Sequence, residues 1–198
     1  MERRLTEQVL EYAKRLPEGT PVAAKSLLHL GNREAVDQAL SRLARRGGLI
    51  RAGRGIYVHP VQSRFGTRAP AVEQVIEAFA RQRGEVIVAS GAAAANALGL
   101  TTQVPIQPIY LTSGRNRLVQ LGKQLIKLKH APSWQLILPG SPAGQVLRAL
   151  AWAGPEKAEA SLRKLKPKLS SGTLGELITV TPQLPTWLAR IVSKVTHE

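Results

Sequence analysis

One predicted helix carries side chains that can recognise DNA bases, all on the same face. On a wheel with about 100° per residue, the helix that follows Asn32 directs Gln38, Ser41, Arg42 and Arg45 away from an apolar stripe. Arginine pairs bidentately with guanine and glutamine with adenine in the major groove. This face therefore predicts a surface that reads DNA sequence.

Nearby basic and hydroxyl side chains are candidates for contacts with the DNA backbone. Arg33 lies in the first turn of the helix, where the N-terminus itself attracts phosphate. Arg46 lies at the flank and is predicted to contact a phosphate. Lys25 and Ser26, on the preceding segment, are predicted to hold the backbone as well. Glu34, on the same face, works against close phosphate packing.

A β-hairpin with arginine at its tip is predicted directly after this helix. Two short β-prone runs, residues 49–52 and 56–59, flank the sequence Gly53-Arg54-Gly55, a pattern typical of a hairpin turn. Arg54 is predicted to enter the minor groove, where narrow A·T stretches attract arginine.

The preceding residues predict the scaffold that positions this helix and hairpin. The patterns indicate a helix over residues 5–16, an edge strand over 20–22 that pairs with the hairpin, and a second helix over 24–30. Asn32 is the predicted N-cap of the next helix, and Gly47-Gly48 ends it. This order of elements is that of a winged helix-turn-helix.

The remaining chain predicts a second domain after a linker. Pro60 and Pro70 at its two ends, and Gly66 between them, indicate a linker over residues 61–70. For the second domain the patterns predict helices over 72–83, 90–100, 142–153, 155–165 and 185–195, and strands over 85–89, 109–112, 118–121, 124–130 and 134–138. The predicted fold class is α+β: an N-terminal winged helix-turn-helix (1–60) followed by a mixed α+β C-terminal domain (71–198).

The amino-acid composition limits the classes of binding partner and the cellular compartment that we expect. The chain has 28 basic and 13 acidic residues, a formal net charge of +15, which favours a polyanionic partner such as nucleic acid. The absence of cysteine excludes disulfides and thiolate zinc sites and suits a reducing cytoplasm. Neither a signal-peptide pattern nor an apolar run of about 20 residues is present, so we expect a cytoplasmic protein without a membrane span.

Motifs for catalysis, cofactors or metals are weak. The four histidines share no ligand spacing, and Ser141 stands in the wrong slot for the nucleophile motif Gly-x-Ser-x-Gly. The sequence also lacks a phosphate-binding glycine loop and the close carboxylate pairs that two-metal nucleases and glycosidases use. We therefore expect a non-enzymatic protein with no cofactor and no bound metal.

Two other functions stay open from the residues alone. The winged helix could be a scaffold in a protein-interaction module that binds a toxin or another partner directly, with the polar helix face merely solvated. An RNA-processing enzyme is the third hypothesis, supported only by the basic charge.

The sequence also resembles a known family. Residues 39–51 (ALSRLARRGGLIR) and 53–57 (GRGIY) resemble the N-terminal winged helix of abortive-infection (AbiEi-type) antitoxins, and more closely the shorter transcriptional-regulator-like proteins grouped with them. Residues 91–100 (GAAAANALGL) and 110–114 (YLTSG) are similar to the antitoxin-like domain of that family. The match extends over residues 5–187.

The resemblance implies a bacterial type IV antitoxin. Such proteins repress their own operon through the winged helix and counteract a nucleotidyltransferase-like toxin without forming a stable complex with it. An operator with an inverted repeat would be filled by a weak dimer or by two monomers. The DNA-reading role carries over to the helix after Asn32 and to the turn at Arg54, whereas no individual residue for antitoxicity carries over.

Overall fold

The chain folds as a mixed α+β protein. A computed structural model describes residues 2–64, 66–104 and 106–198, without the side chains of residues 2 and 3. The helices are α1 (Glu2–Arg15), α2 (Arg33–Arg45), α3 (Val72–Arg83), α4 (Gly91–Ala97), α5 (Ser133–Leu136), α6 (Pro142–Ala153), α7 (Pro155–Leu165), α8 (Ser171–Val180) and α9 (Thr186–His197). The strands are β1 (Pro21–Ala23), β2 (Ile50–Gly53), β3 (Ile56–Val58), β4 (Val61–Ser63), β5 (Gly66–Arg68), β6 (Ile87–Ala89), β7 (Ile109–Thr112), β8 (Arg117–Leu121) and β9 (Gln124–His130).

The chain divides into two compact units. The first runs up to Glu85 and also contains Leu118–Ile126, and the second contains Val86–Arg117 and Lys127–Glu198. The predicted linker, residues 61–70, lies inside the first unit and contains the β4–β5 hairpin. The unit continues past this hairpin because α3 packs on the start of the chain: a Cβ added to Gly19 would lie 2.9 Å from the backbone of Gln74.

The first unit is built on a small antiparallel sheet and the helices around it. The strand order is β1-β3-β2, which confirms the predicted edge strand, since Val22 pairs with Tyr57. Side chains from α1, α2 and the loops between them form one apolar core, in which Val9, Val36 and Leu40 are fully buried.

The helix predicted over residues 24–30 is wrong in type and length. Only a 3-10 turn, Ala24–Leu27, forms there, and a further turn closes through the Leu30 N–H, which donates to the Leu27 carbonyl. The residue before it, Ala23, offers no side chain to cap the first N–H groups, so the stabilisation that a cap would give to a longer helix is absent. Leu28, one of the three leucines of this segment, is 49% exposed.

The second unit surrounds an apolar core with helices α6 to α9. Within this unit, β6 pairs antiparallel with β7, and β7 pairs parallel with residues 127–130 of β9. The strand predicted over residues 134–138 is wrong, because α5 begins directly after its N-cap Pro132. Among the described helices, none combines the length and apolar character needed to cross a bilayer.

A buried arginine lies within α6. Arg148 is only 4% exposed, and neither its Nε nor its Nη1 has a hydrogen-bond acceptor among the described residues. Burial lowers the pKa of its guanidinium, since desolvation disfavours a cation, and more so one with unpaired N–H groups.

Replacing this arginine with an apolar residue should stabilise the fold. We expect Arg148→Met to raise the free energy of unfolding by about 1–2 kcal/mol, because the substitution removes the desolvation cost and keeps the aliphatic packing. Urea unfolding measures it, with Arg190→Met, at an exposed position of α9, as the matched control. Destabilisation by Arg148→Met would show instead that the guanidinium binds a favourable partner.

Candidate nucleic-acid interface

Helix α2 begins and ends as the sequence predicts. The Asn32 side-chain oxygen accepts a hydrogen bond from the Ala35 N–H at 2.9 Å, and Gly47, with φ of +77°, follows the last turn. The predicted apolar stripe is buried, at Val36, Ala39, Leu40 and Leu43. The orientation of the opposite face is therefore fixed by packing as well as by the cap.

Removal of this cap should loosen the helix. We expect Asn32→Ala to lower the free energy of unfolding by about 1 kcal/mol, because one helical N–H loses its only capping side chain. Asn32→Ser should retain most of the stability, since serine caps equally well. Urea titration followed by circular dichroism measures both variants, and equal stability of Asn32→Ala and the wild type would contradict the expectation.

Five of the predicted DNA-binding residues share one open surface. We call this surface the α2 face, and it comprises Arg33, Gln38, Ser41, Arg42 and Arg45. All are exposed except Arg42, which is half-buried. With a rise of about 1.5 Å per residue, Gln38 and Arg45 are about 10 Å apart along the helix, a distance that matches about three base pairs.

The ion pair of Arg33 within this face is weak enough to be exchanged for a ligand. Arg33 forms an ion pair with Asp37 at 2.7 Å, but both side chains are exposed, and such helical pairs contribute only about 0.3–0.5 kcal/mol. Arg42 donates to the Gln38 carbonyl oxygen at a long 3.4 Å. Asp37 was missed as a member of this surface, although its i, i+4 spacing from Arg33 predicts the pair.

A polar contact connects the α2 face to the sheet beneath it. The hydroxyls of Ser41 and Tyr57 lie 3.4 Å apart, and Tyr57 is buried in β3. Through this contact, the exposed side of α2 touches the hairpin formed by β2 and β3.

The remaining backbone candidates lie away from the α2 face. Arg46 lines a neighbouring groove between α1 and α2, together with Glu7 and Leu10. Lys25 and Ser26 are exposed on the 3-10 turn, but the Ser26 hydroxyl donates to the Ala23 carbonyl at 2.8 Å. Ser26 would have to give up that bond to donate to a phosphate, so its predicted role is the least favoured of the set.

The β2–β3 hairpin presents arginine at its turn. The turn consists of Arg54 and Gly55, and Gly55 adopts φ of +69°, which favours glycine. Arg54 is exposed, as is Arg51 on the preceding strand. The hairpin therefore offers two guanidinium groups, of which only that of Arg54 was predicted to contact DNA.

An open cleft lies between this hairpin and the tip of the β8–β9 hairpin, inside the first unit. We call it the hairpin cleft; the residues that characterise it are Arg51, Arg54, Leu118, Gln120 and Leu125. It was not predicted from the sequence, because no local pattern brings residues 118–125 next to residues 50–54. The only local signal is the alternation along β8 and β9, which leaves two leucines on the exposed side.

The chemistry available elsewhere in the described residues is limited. No group of three or more His, Asp or Glu side chains is close enough to hold a metal ion there. Ser141, in the glycine-rich segment before α6, hydrogen-bonds to Glu176 and accepts the Ala143 N–H at 3.1 Å. Its hydroxyl therefore serves as a helix cap.

Comparison with known proteins gives one match. A family of unknown function (DUF6088) matches residues 8–173, which include most of both compact units. No curated protein and no solved structure matches the chain significantly.

Proposed function

The chain belongs to the DUF6088 family of unknown function, and we propose that it is a sequence-specific double-stranded DNA-binding protein that represses transcription. The observation that carries the proposal is the α2 face, where arginine, glutamine and serine side chains share one open surface of a capped helix. The overall charge of +15 supports a polyanionic partner.

The element order of the first unit supports a winged helix-turn-helix interpretation. An N-terminal helix, a short strand, a turn, the helix α2 and a hairpin occur in sequence, with the three strands in one antiparallel sheet. The one departure is the second helix, reduced to a 3-10 turn. In this interpretation α2 is the recognition helix and the β2–β3 hairpin is the wing.

The dimensions of α2 suit the major groove. A helix with side chains is about 10–12 Å across, and the major groove is about 12 Å wide. In this arrangement Arg42 and Arg45 would read guanine edges, Gln38 would read adenine, and Arg33 would exchange Asp37 for a phosphate. Arg54 would reach the adjacent minor groove.

The antitoxin role rests on the resemblance to abortive-infection antitoxins and is proposed only on that ground. Autoregulation is the part of it that the α2 face supports. Co-expression with a neighbouring nucleotidyltransferase-like protein tests the other part: rescue of growth supports antitoxicity, and unrelieved toxicity contradicts it.

DNA titration of the full chain tests the proposed function. Fluorescence anisotropy should show tighter binding to a fragment of the chain's own upstream region than to a scrambled fragment. Affinity should fall steeply between about 50 and 200 mM salt, because each phosphate contact releases counterions. Equal affinity for both fragments would contradict sequence-specific recognition.

Substitution at the hairpin turn should have an effect that depends on base composition. We expect Arg54→Ala to weaken binding more at sites with A·T stretches beside the α2 contacts than at G·C-rich ones, because narrow minor grooves attract arginine. Paired fragments that differ only in those flanking bases measure it. An equal loss on both fragments would assign Arg54 to a phosphate instead.

The protein-interaction module is the alternative function. It predicts a partner that co-purifies at about 1 M salt, where phosphate contacts are weak, and no retention on DNA at low salt. The exposed leucines of the hairpin cleft favour some protein contact, and that contact is compatible with DNA binding by the α2 face.

A further inference from the structure

Two large apolar side chains are exposed in the hairpin cleft. Leu118 is 55% exposed and Leu125 is 41% exposed, and both line the cleft. Their neighbours on the other side of the hairpin, Val119, Leu121 and Ile126, are buried. Single exposed leucines are common on protein surfaces, and two that line one concave surface form an apolar patch that a partner could cover.

The charges that line this cleft have one sign. Among its described lining residues only Arg51 and Arg54 are charged, and no carboxylate is present. An occupant that fits must therefore supply apolar side chains for the leucines and carboxylates for the guanidinium groups, which bind carboxylates bidentately.

Two other occupants fit less well. DNA would satisfy the arginines but would leave both leucines in contact with a charged, hydrated backbone. A second copy of this chain would bring another net charge of +15 to a basic surface, and like charges repel.

We propose that the hairpin cleft binds an acidic amphipathic segment of a partner protein. Apolar side chains of the segment pack on Leu118 and Leu125, and its carboxylates pair with Arg51 and Arg54. The cleft lies beside the C-terminal end of α2, since Ala44 and Gly47 also line it.

The bound segment also controls DNA affinity, a consequence that rests on the proposed function. Arg54 lines the cleft and is the residue proposed to enter the minor groove. Because one guanidinium group cannot pair with a carboxylate and lie in the groove at the same time, the partner segment and DNA compete for it. The cleft is therefore a site through which a partner releases the protein from its operator.

Selection from a peptide library tests the binding. A phage-displayed library of random peptides is panned against the full chain without DNA, and enriched peptides are measured by fluorescence anisotropy against scrambled-charge versions. We expect enrichment of sequences that combine Leu, Ile or Phe with Asp and Glu. Enrichment of basic or neutral sequences, or no enrichment, would overturn the proposal.

Variants locate the peptide on the surface. The double variant Leu118→Ser, Leu125→Ser should weaken peptide binding at least tenfold, because it removes both apolar contacts. Arg51→Ala should weaken it several-fold and reduce its salt dependence. Ile178→Ser, which changes a 43% exposed isoleucine on α8, is the matched control and should have no effect. Unchanged affinity in the double variant would place the peptide elsewhere and overturn the proposal.

Further measurements distinguish the acidic segment from a second copy or DNA as the occupant of the cleft. They also distinguish failure of the proposed function from failure of the cleft proposal. A dimer that the leucine double variant dissociates, or DNA binding that this variant weakens, would identify the cleft as a self-association or DNA surface and overturn the proposal. On the wild type, saturating peptide should raise the dissociation constant for DNA at least fivefold. If the wild type binds peptide but no DNA, only the proposed function fails, and if DNA is retained at saturating peptide, the competition is wrong.

Discussion

Simultaneous replacement of Arg42 and Arg45 by alanine is expected to abolish the preference for operator DNA. Each bidentate contact with guanine contributes about 1–3 kcal/mol of discrimination, so the double variant should lose about 2–6 kcal/mol if the effects add. The two residues are adjacent on the helix surface, at i and i+3, so a departure from additivity is expected. Affinity for the operator should fall to that for scrambled DNA.

The control for this prediction carries the same charge change elsewhere. The double variant Arg81→Ala, Arg190→Ala also removes two arginines from helices, both of them exposed, and so removes the same charge. It should lower affinity for both fragments by a similar small factor and keep the ratio between them. If the Arg42 and Arg45 variant keeps that ratio as well, base recognition by α2 is wrong.

The expected result depends on which contacts of the α2 face are exchanged for DNA. The Arg33–Asp37 pair is exposed and can be exchanged for DNA at small cost. Arg42 gives up a long bond to Gln38 together with its other contacts. Glu34 and Asp37 carry negative charge on the same surface. They oppose non-specific phosphate contacts, so the net affinity depends more on correct contacts between side chains and bases.

Helix α2 and its hairpin were predictable because local signals agree there. A capping asparagine, an apolar stripe at helical spacing and a glycine pair define α2, and each is confirmed by its bonds or burial. The Gly53-Arg54-Gly55 turn likewise depends on residues that are adjacent in sequence. Both elements are therefore specified before any long-range packing is known.

The predictions are wrong or missing where local signals are ambiguous, or where a feature depends on contacts between segments that are distant in sequence. Residues 134–138 form a short apolar run, and such a run does not distinguish a strand from a helix by periodicity. Residues 24–30 contain three leucines but no capping side chain. The hairpin cleft depends on a contact between segments more than 60 residues apart, for which the sequence offers no local signal.

Residues 140–144, at the start of α6, contain glycine because of close packing and not because of catalysis. Gly144 lies in the first turn of α6, where the chain passes directly over the preceding loop. A Cβ built at this position would lie 2.0 Å from the Leu138 carbonyl oxygen and 2.9 Å from that of Ile137. Leu138 itself adopts φ of +50°, unusual for leucine, so the loop has little freedom to move away.

Gly144→Ala is therefore expected to be among the most destabilising single substitutions in the chain. The added methyl group must displace backbone, so we expect a loss of about 3 kcal/mol or more and a melting temperature lower by about 6–12 °C. Gly175→Ala is the matched control: nothing lies within 4 Å of an added Cβ on α8, and alanine there should stabilise by about 0.5–1 kcal/mol. Thermal and urea unfolding measure both variants. Opposite signs would support close packing at Gly144, whereas equal small effects would contradict the short approach of the loop to α6.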